Sequence, residues 1–258
     1  MLKLQATTLR RVFLGAILFV ALLVSVPLLT LAVGGAPSAD DWRTATHRPA
    51  GLAPDPAAHP AAVVQVYAAR TFGWRGAFAV HTWLAAKPAG ADEYARYEVI
   101  GWYARSGRSA VSVKDGRTPD TEWFGARPTL LRDLRGAEAE AIIAKLASAV
   151  ASYPDAETYR AWPGPNSNTF LAHLGREIPE LRLTLPPTAI GKDYLPDGRI
   201  FARTPSGTGY QASIAGLLGL IAGGDEGFEL NVLGLVTGFD LARPALKLPG
   251  IGRVPADD

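Results

Sequence analysis

The chain has no cysteine in 258 residues. That absence excludes disulfide staples, thiolate metal sites, iron–sulfur clusters, a cysteine nucleophile and a lipidated N-terminal cysteine. Four histidines and one methionine are too few and too scattered for an elaborate transition-metal cage, so neither metal nor cofactor is expected. An excess of charge of one sign is missing as well. The 26 Lys and Arg stand against 24 Asp and Glu, for a net charge of +2. A general nucleic-acid binder depends on many phosphate contacts, and nucleic acid is therefore not an expected partner. The sequence also lacks a phosphate-cradling glycine loop, zinc-ligand spacing and paired catalytic carboxylates at recognisable spacing. It is rich instead in apolar residues, 48% of the chain with 9% aromatic, enough for a packed core in one or two domains.

Residues 12–33 (VFLGAILFVALLVSVPLLTLAV) run for 22 positions without a charge. At about 1.5 Å per residue they cross a hydrocarbon layer of about 30 Å as one transmembrane helix. Lys3, Arg10 and Arg11 precede the run, and Asp40 and Asp41 are the first charges after it. The positive-inside rule then leaves residues 1–11 in the cytoplasm and places everything after the run outside. The rival reading is a cleaved signal peptide, with an apolar region of about 7–15 residues and an A-x-A-like site. Here the run is longer and Gly34-Gly35-Ala36 leads into Pro37, which favours a retained anchor. Residues 34–61, rich in Pro, Ala and Gly, read as a linker, and residues 62–258 as the extracytoplasmic domain.

Within that domain β-branched and aromatic runs predict strands at residues 63–67, 77–84, 97–103 and 110–113, with Lys114-Asp115-Gly116 as a turn. The period then changes. Ile142, Leu146, Ala149, Val150 and Tyr153 recur at helical spacing over residues 137–153, with Glu138 and Glu140 in the first turn and Pro154 as a stop. A short helical piece is expected at 155–162. A second helix follows Pro163-Gly164-Pro165, capped by Asn166 or Ser167, with Phe170, Leu171 and Leu174 on its apolar face and Gly175 at its end. Residues 212–224 (ASIAGLLGLIAGG) read as a short buried helix or as a patch resting on the membrane surface. Residues 229–235 read as a strand, and residues 244–250 as an extended wrap. Strands first and helices after predict an α+β fold.

Two positions carry chemical interest. Ser167 opens a helix, where free backbone N–H groups and the dipole favour a developing oxyanion. His81 lies on a strand and can take a proton if a polar group such as Glu98, on the next strand, orients it. The plainer readings are a helix cap at Asn166-Ser167, a hydrogen-bonded core histidine at 81 and a water-facing Glu98. His47 and His59 fall in the linker. His173 is six residues past Ser167, about 240° around the helix, and points elsewhere.

The segments HTWLAAKP (81–88), YEVIGW (97–102), WPGPNSNTFLAHL (162–174) and LPGIG (248–252) resemble the bacterial domain-of-unknown-function 3750 family. That resemblance implies a bacterial envelope protein, held in the inner (cytoplasmic) membrane with its domain in the periplasm, and brings no activity with it. More distantly, a strand histidine, a polar residue on the next strand and Asn-nucleophile-Asn-x-Phe at a helix start are similar to circularly permuted papain-like hydrolases, the relatives of NlpC-type cell-wall peptidases and lecithin retinol acyltransferase. The similarity implies an antiparallel sheet packed on helices, with Ser167 as nucleophile, His81 as base and Glu98 as the third member. Those families use cysteine where this chain has serine, and a hydroxyl needs stronger base assistance than a thiol.

Two functions follow. One is a membrane-anchored serine hydrolase or acyltransferase acting on an amide or ester of cell-wall peptidoglycan or lipid. The other is an inactive papain-like domain that binds an envelope ligand or protein. Asn166, Asn168, Trp83, Trp102 and Trp162 are the candidate binding residues, with Trp123 a further exposed aromatic in the second reading.

Overall fold

The computed structural model describes residues 2–34 and 43–256. It opens with α1 (Leu2–Ala32), within which Thr8–Ala32 is long and apolar enough to cross a membrane. Residues 35–42, the first part of the stretch read as a linker, lie outside the described residues. From residue 43 the chain lies on the folded unit. Pro49 bridges to Thr121, and the Asp120 carboxylate accepts the N–H groups of Leu52 (2.5 Å) and Ala53 (3.2 Å).

The first sheet contains β1 (Val63–Arg70), β2 (Val80–Lys87), β3 (Ala95–Val99), β4 (Val111–Asp115) and β5 (Thr129–Arg135). All its pairings are antiparallel, in the spatial order β4-β3-β2-β1-β5. Side chains alternate between faces along a strand. On β1 and β2 both parities are buried, because both faces are covered. Val64, Val66, Leu84, Ala86 and Val99 pack against Ile142 and Leu146 of α3 (Gly136–Ala151) and Phe170, Leu171 and Leu174 of α4 (Ser167–Glu177). On the opposite face Val63, Tyr67, Trp83 and Ala85 pack beneath Leu52, Ala53 and Trp123. Between β3 and β4 lies the short α2 (Gly101–Arg105), which takes over the end of the run expected to be strand. The helical piece expected at 155–162 is replaced by turns.

The second sheet is a seven-stranded meander: β6 (Phe201–Arg203), β7 (Gly209–Ile214), β8 (Leu218–Gly223), β9 (Gly227–Val232), β10 (Leu235–Asp240), β11 (Ala245–Leu248) and β12 (Gly252–Val254), each paired with the next. The expectation of a buried helix at 212–224 is thus corrected to most of the β7–β8 hairpin. Gly216, Gly219 and Gly223 are turn and close-approach residues of that hairpin, and its apolar members face outward on one parity. Leu233 and Gly234, both with positive φ, make the tight turn that splits the expected strand at 229–235 into β9 and β10.

Candidate functional site

The N-terminus of α4 is fastened on several sides. Asn166 is the cap: its Oδ1 accepts the N–H of Asn168 (2.9 Å) and of Thr169 (3.2 Å), and the Thr169 hydroxyl accepts the Asn166 N–H (3.1 Å). This reciprocal box satisfies donors that a helix start otherwise leaves open. The Asn166 Nδ2 donates to the carbonyls of Ala161 (3.2 Å) and Ile190 (3.0 Å). Asn168 reaches β2: its Nδ2 donates to the carbonyls of Val80 (3.0 Å) and Ile190 (2.8 Å), and its Oδ1 accepts the Thr82 hydroxyl (2.9 Å). Gly191 completes the cradle at φ +99, and a side chain there would overlap the Asn166 amide. Both asparagine amides are therefore spent on holding α4 to β2 and to the 190–191 turn.

Ser167 sits between them, 5% exposed. Its carbonyl lies 3.3 Å from the Thr82 hydroxyl. Among the described residues, neither its own hydroxyl nor its N–H has a hydrogen-bond partner. The strand residues that the 167–168 pair engages, Val80 and Thr82, flank His81. No hydrogen bond joins Ser167 to His81.

His81 is tied to the other face of the sheet. Its Nε2 donates to Glu98 Oε2 (3.3 Å), which also accepts from Arg96 Nη2 (2.8 Å), and Arg96 Nη1 donates to the Thr121 hydroxyl (2.7 Å). The imidazole stacks on Trp123 at 3.7 Å between ring centroids, and on Trp83 at 5.7 Å. The Arg96 guanidinium lies 4.3 Å over the Trp83 ring, a cation–π contact. Burial lowers the His81 pKa below its ordinary value and outweighs the Glu98 carboxylate, which pulls the other way. Burial also pushes Glu98 up, but the His81 hydrogen bond and the Arg96 charge more than offset it and hold the carboxyl below its ordinary value. The pair is thus a neutral imidazole on a carboxylate at neutral pH.

Beside this relay opens a cavity of about 1120 Å³. Among the described residues, Arg43, Arg96, Arg105, Arg117 and Glu98 line it, and Trp102, Tyr103, Trp123 and Phe124 supply aromatic walls. Arg96 leaves its buried Nε without a partner. Phe124, at the lip, holds φ +50, a left-handed conformation uncommon for a bulky residue and tolerated where the surroundings impose it. Of the residues singled out in the sequence, Glu98, Trp102 and Trp123 line this cavity. Trp83 is fully buried, with its indole N–H on the Pro119 carbonyl (2.7 Å). Trp162 is half exposed on another side, its N–H on the Leu233 carbonyl (2.8 Å). His173 is a core histidine whose Nε2 donates to the Ala149 carbonyl (2.9 Å). His47 also lines the cavity, with its ring edge-on to Phe124.

Arg96, Arg105, Arg117 and, apart from Trp123, the 120–124 turn are not among the site residues the sequence suggests. For Arg96 a signal existed: it shares strand parity with Glu98, two positions on, so both project from one face. Nothing in the sequence shows that residues 118–124 fold back over that face.

Fold and site together define an α+β domain with a basic, aromatic cavity on one sheet face, carrying a membrane-length helix at its N-terminus. The chain belongs to the protein family of unknown function DUF3750, whose family model matches residues 61–194. That match spans the first sheet, α3, α4 and the 190–191 turn, and ends where the second sheet is about to begin. Comparison with curated proteins and with solved structures returns no match.

Proposed function

We propose that this domain, held at a membrane by α1, binds an envelope ligand that pairs carboxylate or phosphate groups with a sugar or other flat ring. The cavity carries the reading: Arg105 and Arg117 stand in it beyond the Arg96–Glu98 ion pair, beside Trp102 and Trp123. Arginine forks match carboxylate and phosphate geometry, and indole faces take rings. Cell-wall muramyl peptides combine both features. The test is a tryptophan-fluorescence titration of the full chain in detergent with muramyl dipeptide. Trp102→Ala and Arg117→Ala, both at exposed positions, are expected to weaken binding at least tenfold, and Ser167→Ala to leave it unchanged. Equal affinity in all three variants, or no binding by the parent, sinks the reading.

A further inference from the structure

The second sheet is inside out. Its buried face carries charge: Glu229 accepts from Lys192 and from Lys247 (2.5 Å), and Asp193 accepts from Asn231 (2.8 Å). Its outward face is apolar. Tyr210, Ala222, Phe228, Phe239, Leu246 and Val254 stand in register across six strands. Phe201 and Leu220 flank them, with Phe201 75% and Tyr210 65% exposed. A patch of this breadth on one face marks a contact surface rather than scattered exposure.

Two observations identify what covers it. First, α1 packs against this part of the molecule. It touches β10 and the 73–77 turn, Leu23 and Pro27 are its buried residues, and a side chain at Gly250, next to β11, would run into Pro27. Leu23 precedes Ala32 by nine residues, about 14 Å along the helix axis. A span that crosses the bilayer with the domain gripping it this far in brings the second sheet to the level of the lipid. Second, arginine outnumbers exposed carboxylate at the rim, where Asp197 is an exposed acid beside Arg199. Glu226, Glu229 and Asp240 are buried and Asp225 is paired with Arg182, whereas Arg199 and Arg203 are exposed, Arg203 lying 5.2 Å over Tyr210. Arginine beside an aromatic ring suits a boundary between acyl chains and anionic headgroups.

We propose that the outward face of β6–β12 lies in the surface of an anionic bilayer, so that the domain is held flat on the membrane by its own sheet as well as by α1. The cysteine-free sequence makes the test clean. Nitroxide labels on Leu220→Cys, Phe228→Cys and Phe239→Cys, one at a time in the full chain, are measured in phosphatidylethanolamine–phosphatidylglycerol vesicles, with Val113→Cys on the first sheet as reference. Circular dichroism checks that each variant is folded. The three face labels should collide with dissolved oxygen several-fold more than with a water-soluble nickel chelate, and the reference label should show the reverse. Nickel accessibility equal to that of Val113→Cys would overturn the proposal by leaving the face in water. Shielding from both agents with spin–spin broadening between chains would overturn it in favour of a second copy.

Discussion

The two sheets of this protein solve opposite problems. The first is an ordinary sheet pushed to its limit: both faces are covered, so β1 and β2 bury nearly every side chain, and among its buried polar residues His81 and Arg96 are joined through Glu98. The second buries a lysine–carboxylate network and shows aromatic and aliphatic side chains to its surroundings. The lesson is that burial follows the environment on each side of a sheet rather than a fixed rule of apolar-in. Where the medium outside is itself apolar, the polar groups have to find one another inside.

The sharpest way to break this comparison is Glu229→Ala. It strips buried Lys247 of its carboxylate and leaves buried Lys192 with Asp193 alone, where Asp193 and Glu229 together hold the Lys192 pKa above its ordinary value against the pull of burial. Losing one partner of such a network costs about 3–5 kcal/mol, read as a drop in denaturant midpoint; a change under about 1 kcal/mol would mean that the network is hydrated. Next comes a paired measurement. Leu146→Ala, fully buried under the first sheet, should cost about 2–5 kcal/mol. Leu220→Ala on the outward face of the second should stay within about 0.5 kcal/mol in detergent. Comparable losses would show that both sheets bury apolar side chains in the same way.

A smaller effect concerns pH. His81 and His173 both have folded pKa values lowered chiefly by burial. Below about pH 6.5 the unfolded chain takes up protons that the folded chain refuses, so stability falls on acidification from that point. Glu229 is held low, because its two lysines outweigh the effect of burial, and its contribution persists above about pH 4.5 and is lost on further acidification. Thermal midpoints across pH 8 to 4 should decline in these two stages. His81→Gln with His173→Gln should flatten the first stage and leave the second, and a slope unchanged between pH 6.5 and 5 would contradict the assignment.

The sequence was readable where one period dominates. α3 and α4 stand within two residues of the expected bounds at most ends, because apolar spacing, the Asn166 cap and Pro154 agree. Strands β1 to β4 show in their β-branched and aromatic content. β5 escaped notice: as an edge strand reading TLLRDLR it buries one side chain, Leu134, and shows no alternation. The second sheet misled most, since an apolar run with glycines resembles a packed helix when apolar is taken to mean buried. At the site, the pairing of His81 with Glu98 followed from neighbouring strands. The cavity over them depends on residues 43–53 and 118–126 meeting across some 70 positions of chain, a separation that no local pattern encodes.

The short turn 190–193 has a mechanical consequence. Its first two carbonyls, of Ile190 and Gly191, hold Asn166, Asn168 and Thr169 at the head of α4. Its next two side chains, Lys192 and Asp193, are clamped inside the second sheet by Glu229 and Asn231. Four consecutive residues thus form a hinge pin shared by two plates. Any load that tilts the second sheet is delivered within a few ångströms of Ser167, so the head of α4 is the part of the molecule that registers how the second sheet is seated.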